Sequence, residues 1–391
     1  MGAGIAQVAL EAGHEVVLHD VDEAALERGR AHIRSGLERR AAGLELDGDS
    51  IDAWVSGRLA GLRDAHTLDA VGAEAEIVIE AALEDLALKQ TIFQALDAAA
   101  PPDVMLATNT SALSVSAIAS ATSHPERVIG LHFFNPVPVM ALVEVIVPAG
   151  TSKSVVERAT ALVERWGKTA VRSADVPGFI VNRVNRPYTI RALRLLEAGV
   201  ASVETIDGAL RDAGFPMGPF ELIDLVGADV NLAAAIGVWE GAGRPERLRP
   251  SPIQERLVAD GTLGRKSGAG FYAYDGNRRL GARSVPDAPV AGDRPAPPDV
   301  IRDWIVLGVV DEAYRALAEG VASREGIDRA LQLGAAHPIG PFERVRTLGG
   351  ARQARDRHAA LALMLGIELD STALLEREAT TGLGADDESR D

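Results

Sequence analysis

One histidine and one carboxylate lie in the apolar stretch GLHFFNPVPVMALVEVI, which runs from Gly130 to Ile146. An imidazole such as that of His132 takes up a proton near neutral pH, and a carboxylate such as Glu144 can orient the ring through its other nitrogen. The pair has the parts needed to remove a proton from a hydroxyl group. The NPVP sequence at 135–138 predicts a turn, after which the apolar run would return as a strand or a helix and bring Glu144 towards His132. The alternative is a core histidine without chemistry.

Polar side chains in other motifs are candidates for contacts with a small ligand. Each has an ordinary structural alternative as a helix cap, an amide at a helix start, a turn residue or a solvated surface charge. With their motifs they are Ser111 in ATNTSAL (107–113), Asn182 in PGFIVNR (177–183), Asn135 in the histidine motif, Glu84 and Lys89 in EAALEDLALKQ (80–90), and Lys266 in GRKSGAGFYAY (264–274).

These motifs, taken in order along the chain, resemble the L-3-hydroxyacyl-CoA dehydrogenase family. The strongest matches are GLHFFNPVPVM, PGFIVNR and GPFEL, and the resemblance runs from Gly2 to about Gly350. It implies that His132 removes the proton from the 3-hydroxyl of the substrate and that Glu144 holds the imidazole in place. It also implies a substrate hydrogen bond for Ser111 and polarisation of the substrate carbonyl by Asn182. The same resemblance implies cofactor contacts for Glu84, Lys89, Asn135 and Lys266.

The N-terminal segment MGAGIAQ resembles the end of a glycine-rich nucleotide-binding turn, G-x-G-x-x-G, with Gly2 as the third glycine. In this turn the third glycine allows the helix and the strand to pack closely, and the helix start stabilises a phosphate. Asp20 lies at the end of a predicted strand, where the fold places the acid that binds the ribose 2′-hydroxyl of the adenosine. A carboxylate there repels a 2′-phosphate, so NAD is favoured over NADP. The alternatives are a plain helix start for Gly2 and a strand-end turn for Asp20.

The resemblance leaves the first strand of this fold, and the first two glycines, without a counterpart in the chain. That strand is central to the sheet, so we expect its two neighbours to lack a pairing partner, which is costly for buried backbone. Two explanations are open: the natural protein starts upstream of Met1, or it starts here and does not bind NAD in the ordinary way. We expect the first.

The order of the elements predicts an α/β Rossmann domain, with a doubly wound parallel sheet whose first strand is missing, followed by duplicated all-α domains. The duplication rests on EAGVASVETIDGAL (197–210), which recurs as AEGVASREGIDRAL (318–331), and on MGPFELIDLVG (217–227), which recurs as IGPFERVRTLGG (339–350). In this alignment Asp303 stands opposite Asn182, so we expect the second copy to be structural. The predicted boundaries are 1–174 for the nucleotide domain, 175–277 for the first helical copy, 278–299 for a linker, 300–368 for the second copy and 369–391 for a tail.

Composition narrows the class of protein. The 391 residues are 47% hydrophobic and 25% charged, as in ordinary globular chains, and they include no cysteine, which excludes thiolate metal sites and cysteine nucleophiles. No apolar run is long enough to cross a membrane, and no signal peptide is evident, so we expect a cytoplasmic protein. The net charge of -16 disfavours nucleic acid and anionic membranes as partners. No metal site is expected.

The sequence thus predicts NAD-dependent oxidation of a 3-hydroxyacyl-CoA in fatty-acid or related acyl-CoA catabolism. The two-copy arrangement looks like bacterial enzymes for 3-hydroxybutyryl-CoA or 3-hydroxyadipyl-CoA, and nothing in the chain decides between them. The acyl-CoA substrate is the expected partner, with a homodimer possible. Two alternatives stay open: a dehydrogenase of a free hydroxy acid, as in the L-gulonate branch, and a non-catalytic acyl-CoA-binding remnant without a complete nucleotide site.

Overall fold

A computed structural model describes residues 1–45, 47–286, 288–289 and 296–381. The chain divides into two compact units, Met1–Asp175 and Val176–Asp391. The first unit alternates strands with helices and the second is mainly helical. Among the described residues, no single helix is long and apolar enough to cross a membrane. In that described part of the chain, the helices Pro219–Val226 and Ala228–Gly241 pass the test together, as a pair bent by 104°.

The first unit alternates elements as the sequence predicted, and polar residues at the helix starts set several of its boundaries. Asp22, for example, accepts a hydrogen bond from the backbone of Ala24 and so caps the second helix. The elements are α1 (Gly2–Glu11), β1 (Val16–Leu18), α2 (Glu23–Ala42), α3 (Gly48–Leu59), β2 (Leu62–Asp64), α4 (Leu68–Glu74), β3 (Ile77–Glu80), α5 (Leu86–Ala99), β4 (Met105–Thr108), α6 (Val115–Ala119), β5 (Val128–Phe133), β6 (Leu142–Val147), α7 (Lys153–Arg165) and β7 (Thr169–Ala174).

The strands of this unit form two separate sheets. β1 pairs in parallel with β2, and β3, β4, β5, β6 and β7 pair in that order in a second sheet. In the described part of the chain, β1 and β3 each have one pairing partner and lie at an edge of their sheets. The second sheet is parallel except that β6 runs antiparallel to β5, because only a turn joins the two strands.

Helix α1 lies between two apolar clusters. Ile5 and Val8 pack with the side chains of β4, β5, β6 and α7. Ala6 and Leu10 pack on the other side against α2, α3 and β2. The helix therefore joins the two sheets through side-chain packing, without a hydrogen-bonded ladder between them.

The second unit is built from helices and one hairpin. Its elements are α8 (Val181–Val184), α9 (Arg186–Glu197), α10 (Val203–Asp212), α11 (Pro219–Val226), α12 (Ala228–Gly241), α13 (Pro252–Ala259), β8 (Tyr272–Asp275), β9 (Arg278–Ala282), α14 (Pro298–Ala318), α15 (Arg324–Gly334), α16 (Pro341–Thr347), α17 (Ala351–Leu365) and α18 (Ala373–Thr381). The helical segments at 181–197 and 219–241 are each broken. Pro187 has no backbone N–H to continue α8 into α9, and Gly227, with φ of 101°, separates α11 from α12.

The duplication predicted from the sequence is visible in matching caps. Asp207 of α10 accepts from the backbone N–H groups of Phe220 and Glu221 at the start of α11, at 2.9 and 3.1 Å. Asp328 of α15 accepts in the same way from residues 342 and 343 of α16, at 2.7 and 3.0 Å. The glycine of each GPFE motif permits this approach, since a Cβ on Gly218 or Gly340 would lie 2.3 Å from the aspartate side chain.

Two predicted segments differ from the structure. The linker does not begin at residue 278, because Arg278–Ala282 pair with β8 as strand β9. The tail expected from 369 contains helix α18, which buries Leu375 and Ala379 among the helices of the second copy. The sequence pattern missed both because the elements are short and their burial depends on partners elsewhere in the chain. Residues 287, 290–295 and 382–391 of these segments lie outside the described residues.

Candidate active site

His132 and Glu144 are directly opposite each other on two paired strands. In the antiparallel register of β5 and β6 these residues are partners, so their side chains leave the same face of the sheet. His132 Nδ1 lies 2.6 Å from Glu144 Oε2, and the two side chains are 8% and 0% exposed. An ionised carboxylate only accepts hydrogen bonds, so Nδ1 donates, and the lone pair of the neutral ring lies on Nε2. The contact that the sequence left open is therefore present.

Lys168 and helix α1 hold the turn between β5 and β6 in place. Lys168, just before β7, donates from Nζ to the carbonyl oxygens of Val137 and Met140 at 2.6 and 2.8 Å. Burial lowers the pKa of this lysine, and the charge of Glu11 opposes that effect. Helix α1 also approaches the turn closely, since a Cβ on Gly4 would lie 3.0 Å from the Cβ of Val137. The turn carries Asn135, whose side chain is exposed.

Ser111 lies in a loop after β4 that is organised by Glu84. One oxygen of Glu84 accepts from the hydroxyl of Thr110 at 2.7 Å, from the backbone N–H of Ser111 at 2.8 Å, from its hydroxyl at 3.1 Å, and from Ala112 N–H at 3.0 Å. Burial would raise the pKa of Glu84, but these hydrogen bonds and the charge of Lys89 outweigh it and lower the pKa. Glu84 thus stays ionised and fixes the loop.

Lys89 is buried beneath this loop. Its Nζ donates to Glu80 Oε1 at 2.7 Å and lies 3.5 Å from Glu84 Oε2, and its side chain is 1% exposed. The other oxygen of Glu80 accepts from the Thr108 hydroxyl at 2.6 Å. The ammonium group therefore holds two carboxylates, that of Glu80 at the carboxyl end of β3 and that of Glu84 in the loop after it. The cofactor contact that the resemblance implies for Lys89 stays a prediction.

Asn182 and Lys266 belong to the second unit. Asn182 is half-buried in α8, which follows a turn where Gly178 has φ of 77° and where a Cβ would lie 2.5 Å from Val238. That combination explains the glycine of PGFIVNR. Lys266 is exposed and binds both carboxylate oxygens of Asp229, at 2.6 and 2.8 Å. Its predicted contact with the cofactor is likewise untested.

Comparisons with known proteins agree over almost the whole chain. The family model for the NAD binding domain of 3-hydroxyacyl-CoA dehydrogenase matches residues 1–176, and that for the C-terminal domain matches residues 178–274 and 303–363. The chain belongs to the 3-hydroxyacyl-CoA dehydrogenase family. The two segments matched by the C-terminal model agree with the duplication.

Relatives of this 3-hydroxyacyl-CoA dehydrogenase family member include enzymes with different substrates in their names. It is 38% identical to the 3-hydroxyadipyl-CoA dehydrogenase of Escherichia coli K12, over 90% of each chain. It is 44% identical to the mitochondrial hydroxyacyl-coenzyme A dehydrogenase of Rattus norvegicus, over 70% of this chain and 88% of the relative. The crystal structure of 3-hydroxybutyryl-CoA dehydrogenase from Escherichia coli K12 matches with a TM-score of 0.86 and 34% identity, over 97% and 96% of the two chains.

The cofactor of this dehydrogenase family is NAD, and features of the first unit fit it. Helix α1 starts with small residues and has no acidic residue in its first turn, which favours a phosphate at its start. Asp20 is exposed just beyond the carboxyl end of β1, where a ribose is bound in doubly wound sheets. Gly2 departs from the expectation of close packing, because a Cβ there would lie 3.9 Å from Ala81, in ordinary contact. The close contact in α1 is made by Gly4 instead, where a Cβ would lie 3.0 Å from the Cβ of Val137.

Several residues of this site were missed from the sequence. Glu80, Thr110 and Lys168 hold the predicted residues in place, and Asn109 Oδ1 accepts from the backbone N–H of Phe133 at 2.8 Å, beside His132. A carboxylate at the end of the apolar strand pattern AEIVIE was the available signal for Glu80. For Lys168 no local signal exists, because its partners are backbone carbonyl groups 28 and 31 residues away.

Proposed function

We propose that this protein oxidises the 3-hydroxyl group of a 3-hydroxyacyl-CoA to the 3-oxo compound with NAD. The observation that carries the proposal is the 2.6 Å contact between His132 Nδ1 and Glu144 Oε2 in a member of this family. NAD, when bound, accepts the hydride that leaves the C3 carbon. What the chain has to supply is a base for the hydroxyl proton and donors that orient the substrate.

In this mechanism His132 takes the hydroxyl proton on Nε2. The proton on Nδ1 is already engaged by Glu144, so the ring has one defined tautomer. When Nε2 gains the proton the ring becomes cationic, and the buried carboxylate stabilises it.

The other polar residues are proposed to orient the substrate and cofactor. Ser111, whose loop is fixed by Glu84, would hydrogen-bond the substrate oxygen, and the amide of Asn182 would polarise the substrate carbonyl. Asp20 would accept from the adenosine ribose. Gly2, Glu84, Lys89, Asn135 and Lys266 complete the proposed cofactor contacts.

The direct test is NAD reduction with 3-hydroxybutyryl-CoA and with 3-hydroxyadipyl-CoA, against free 3-hydroxybutyrate. We expect activity with CoA esters and a loss of about 10²- to 10⁴-fold in kcat for His132→Gln, the usual size of a general-base contribution. His66→Gln is the matched control, because that side chain is 73% exposed and far along the chain from the site. Activity on the free acid alone would contradict the proposal, as would a His132→Gln enzyme with the wild-type rate.

A calorimetric titration with NADH separates the enzyme from a binding remnant. We expect NADH to bind the wild type and His132→Gln alike, since the histidine acts on the substrate proton. Failure of the wild type to bind NADH would contradict the assignment of NAD to this chain and would favour the remnant.

The partners, the cellular compartment and the oligomeric state are also part of the proposal. We propose an acyl-CoA as the substrate partner, with no nucleic acid or membrane as a partner, because the net charge of -16 repels nucleic acid and anionic membranes. We further propose a cytoplasmic enzyme that acts in acyl-CoA catabolism and forms a homodimer. Analytical ultracentrifugation would test the dimer, and a single species at 41.1 kDa would contradict it.

A further inference from the structure

The helix that carries Asn182 is too short to be stable by itself. α8 is four residues long, Val181–Val184. Helix nucleation is unfavourable and an isolated helix of one turn does not form in water. The position of Asn182 therefore depends on the contacts that hold α8 against its neighbours.

One of these contacts is a buried ion network from the second helical copy. Arg183, the residue after Asn182, donates from Nε to Glu312 Oε1 at 3.2 Å and from its two terminal nitrogens to Glu319 at 2.6 and 2.8 Å. Glu312 belongs to α14 and Glu319 is the residue directly after that helix, 129 and 136 residues along the chain from Arg183. Arg247 binds the other side of Glu312 at 2.9 Å.

The network is charge-balanced and mostly out of water. The side chains of Arg183 and Glu312 are 6% and 1% exposed, and Glu319 lies at the rim. Burial would lower the pKa of Arg183, but the bonds to Glu319 and Glu312 outweigh it and raise the pKa. A buried ion pair of this kind is held by strict geometry, because removing one partner leaves a charge without compensation.

A second contact holds the same helix at its end. His337 of the second copy lies with Nε2 2.7 Å from Asn185 Oδ1. Burial lowers the pKa of His337 to about 3, so the ring is neutral and Nε2 donates to Asn185. The ring also packs against Phe215 at 4.9 Å. The second copy therefore contacts this segment at Arg183, directly after Asn182, and again at Asn185, the residue that caps the end of α8.

We propose that the second helical copy is a positioning element for the side-chain amide of Asn182, and that Glu312 and His337 set the orientation of Asn182 through Arg183 and Asn185. The inference rests on the proposed function, because it assigns Asn182 to the substrate carbonyl. It gives the second copy a part in substrate recognition. That part does not come from Asp303, the residue aligned with Asn182, because Asp303 has a carboxylate in place of the amide.

The test is a double-mutant cycle between Glu312→Gln and Asn182→Ala, measured as kcat/KM for 3-hydroxybutyryl-CoA at saturating NAD. Glu312→Gln alone should lower kcat/KM by about tenfold or more, since a misplacement of about 1 Å can cost that much. In the Asn182→Ala background the same change should cost about twofold or less, because the interaction it acts through is gone. NADH affinity by calorimetry should stay unchanged.

Asp328→Asn is the matched control, an acid-to-amide change in the second copy at the cap of α16. It should lower the melting temperature and leave kcat/KM of the folded enzyme unchanged. Equal losses from Glu312→Gln in both backgrounds, or no loss at all, would overturn the inference. An inactive wild type would instead overturn the proposed function, so the two failures are distinguishable.

A second pair of variants covers the case in which Glu312→Gln does not fold. His337→Gln keeps an amide donor that can reach Asn185, whereas His337→Ala does not. We expect the glutamine variant to retain kcat/KM and the alanine variant to lower it, again only while Asn182 is present. Equal kcat/KM for the two variants would contradict the role of His337.

Discussion

The two copies of the helical repeat share their framework and differ in their chemistry. In each copy an aspartate caps the helix of a GPFE motif through two backbone N–H groups, Asp207 in the first and Asp328 in the second. In each, a serine caps the preceding helix, Ser202 for α10 and Ser323 for α15. These features stabilise helix starts and are needed wherever the repeat folds.

The copies differ at the start of the repeat. The first has a turn at Gly178, the short helix α8 with Asn182, and a break before Pro187. The second has one continuous helix, α14, and Asp303 in it is paired with Arg302 at 2.7 Å and with Arg357. An unbroken helix satisfies its own backbone, whereas a broken one needs anchors from outside. The helix is therefore broken in the copy that carries Asn182, the residue proposed to act on the substrate. The second copy provides contacts that hold this broken segment in place, from Glu312, Glu319 and His337.

The largest expected effect comes from exchanging the two aligned residues. Asn182→Asp should lower kcat/KM by about 10²- to 10³-fold, because a carboxylate repels the developing charge on a carbonyl oxygen that an amide stabilises. Asp303→Asn makes the reverse exchange in the second copy, and kcat/KM of the folded enzyme should stay within about threefold of the wild type. Steady-state kinetics on both variants measures the contrast. Comparable losses in the two variants would erase the distinction between the copies.

A smaller effect is expected where the copies match. Asp328→Ala should destabilise the protein by about 1–2 kcal/mol, the usual cost of losing a helix cap. Asp207→Ala should cost somewhat more, about 2–3 kcal/mol, because the Tyr272 hydroxyl at 2.8 Å also loses its acceptor. Urea unfolding followed by circular dichroism gives both values. Should only one of the two changes destabilise, the caps would not be equivalent.

The last prediction concerns acid, to which the contact between the copies should be sensitive. His337 bonds Asn185, and His358 accepts from Arg191 at 2.7 Å. Burial lowers the pKa of these histidines to about 3 and about 2. Their folded pKa lies below the unfolded value of about 6.5, so the unfolded chain binds more protons, and stability is complete above that pH and falls below it.

At pH 5 each buried histidine should cost about 2 kcal/mol relative to pH 8. His358→Gln should reduce the loss of stability between pH 8 and pH 5 by the contribution of one histidine. His66→Gln should leave that loss unaltered. Urea midpoints at a series of pH values provide the measurement. Identical pH profiles for wild type and His358→Gln would refute the neutral, buried state of this ring.

The sequence predicted those parts of the site that depend on neighbouring residues. The turn at 135–138 and the apolar run after it allowed Glu144 to return towards His132 but left the contact open, and the two repeated sequence blocks were enough to expect two helical copies. The charged residues that hold the site in place could not be predicted from the residues next to them in the sequence. In the sequence, Lys168, Arg183 and Glu312 look like ordinary surface charges, since their burial is set by partners far away in the chain.

The register of β5 and β6 has a consequence for how the dehydrogenase loses activity. His132 and Glu144 are joined across a central ladder of the sheet, with every residue from 142 to 146 buried. Such ladders open only in the rarest fluctuations of a protein, whereas loops and short helices open often. The proposed base, His132, therefore persists through partial openings that already displace the amide of Asn182 on α8. Inactivation by mild heat or denaturant should begin as a failure to orient the acyl group, in molecules whose proton acceptor is still intact.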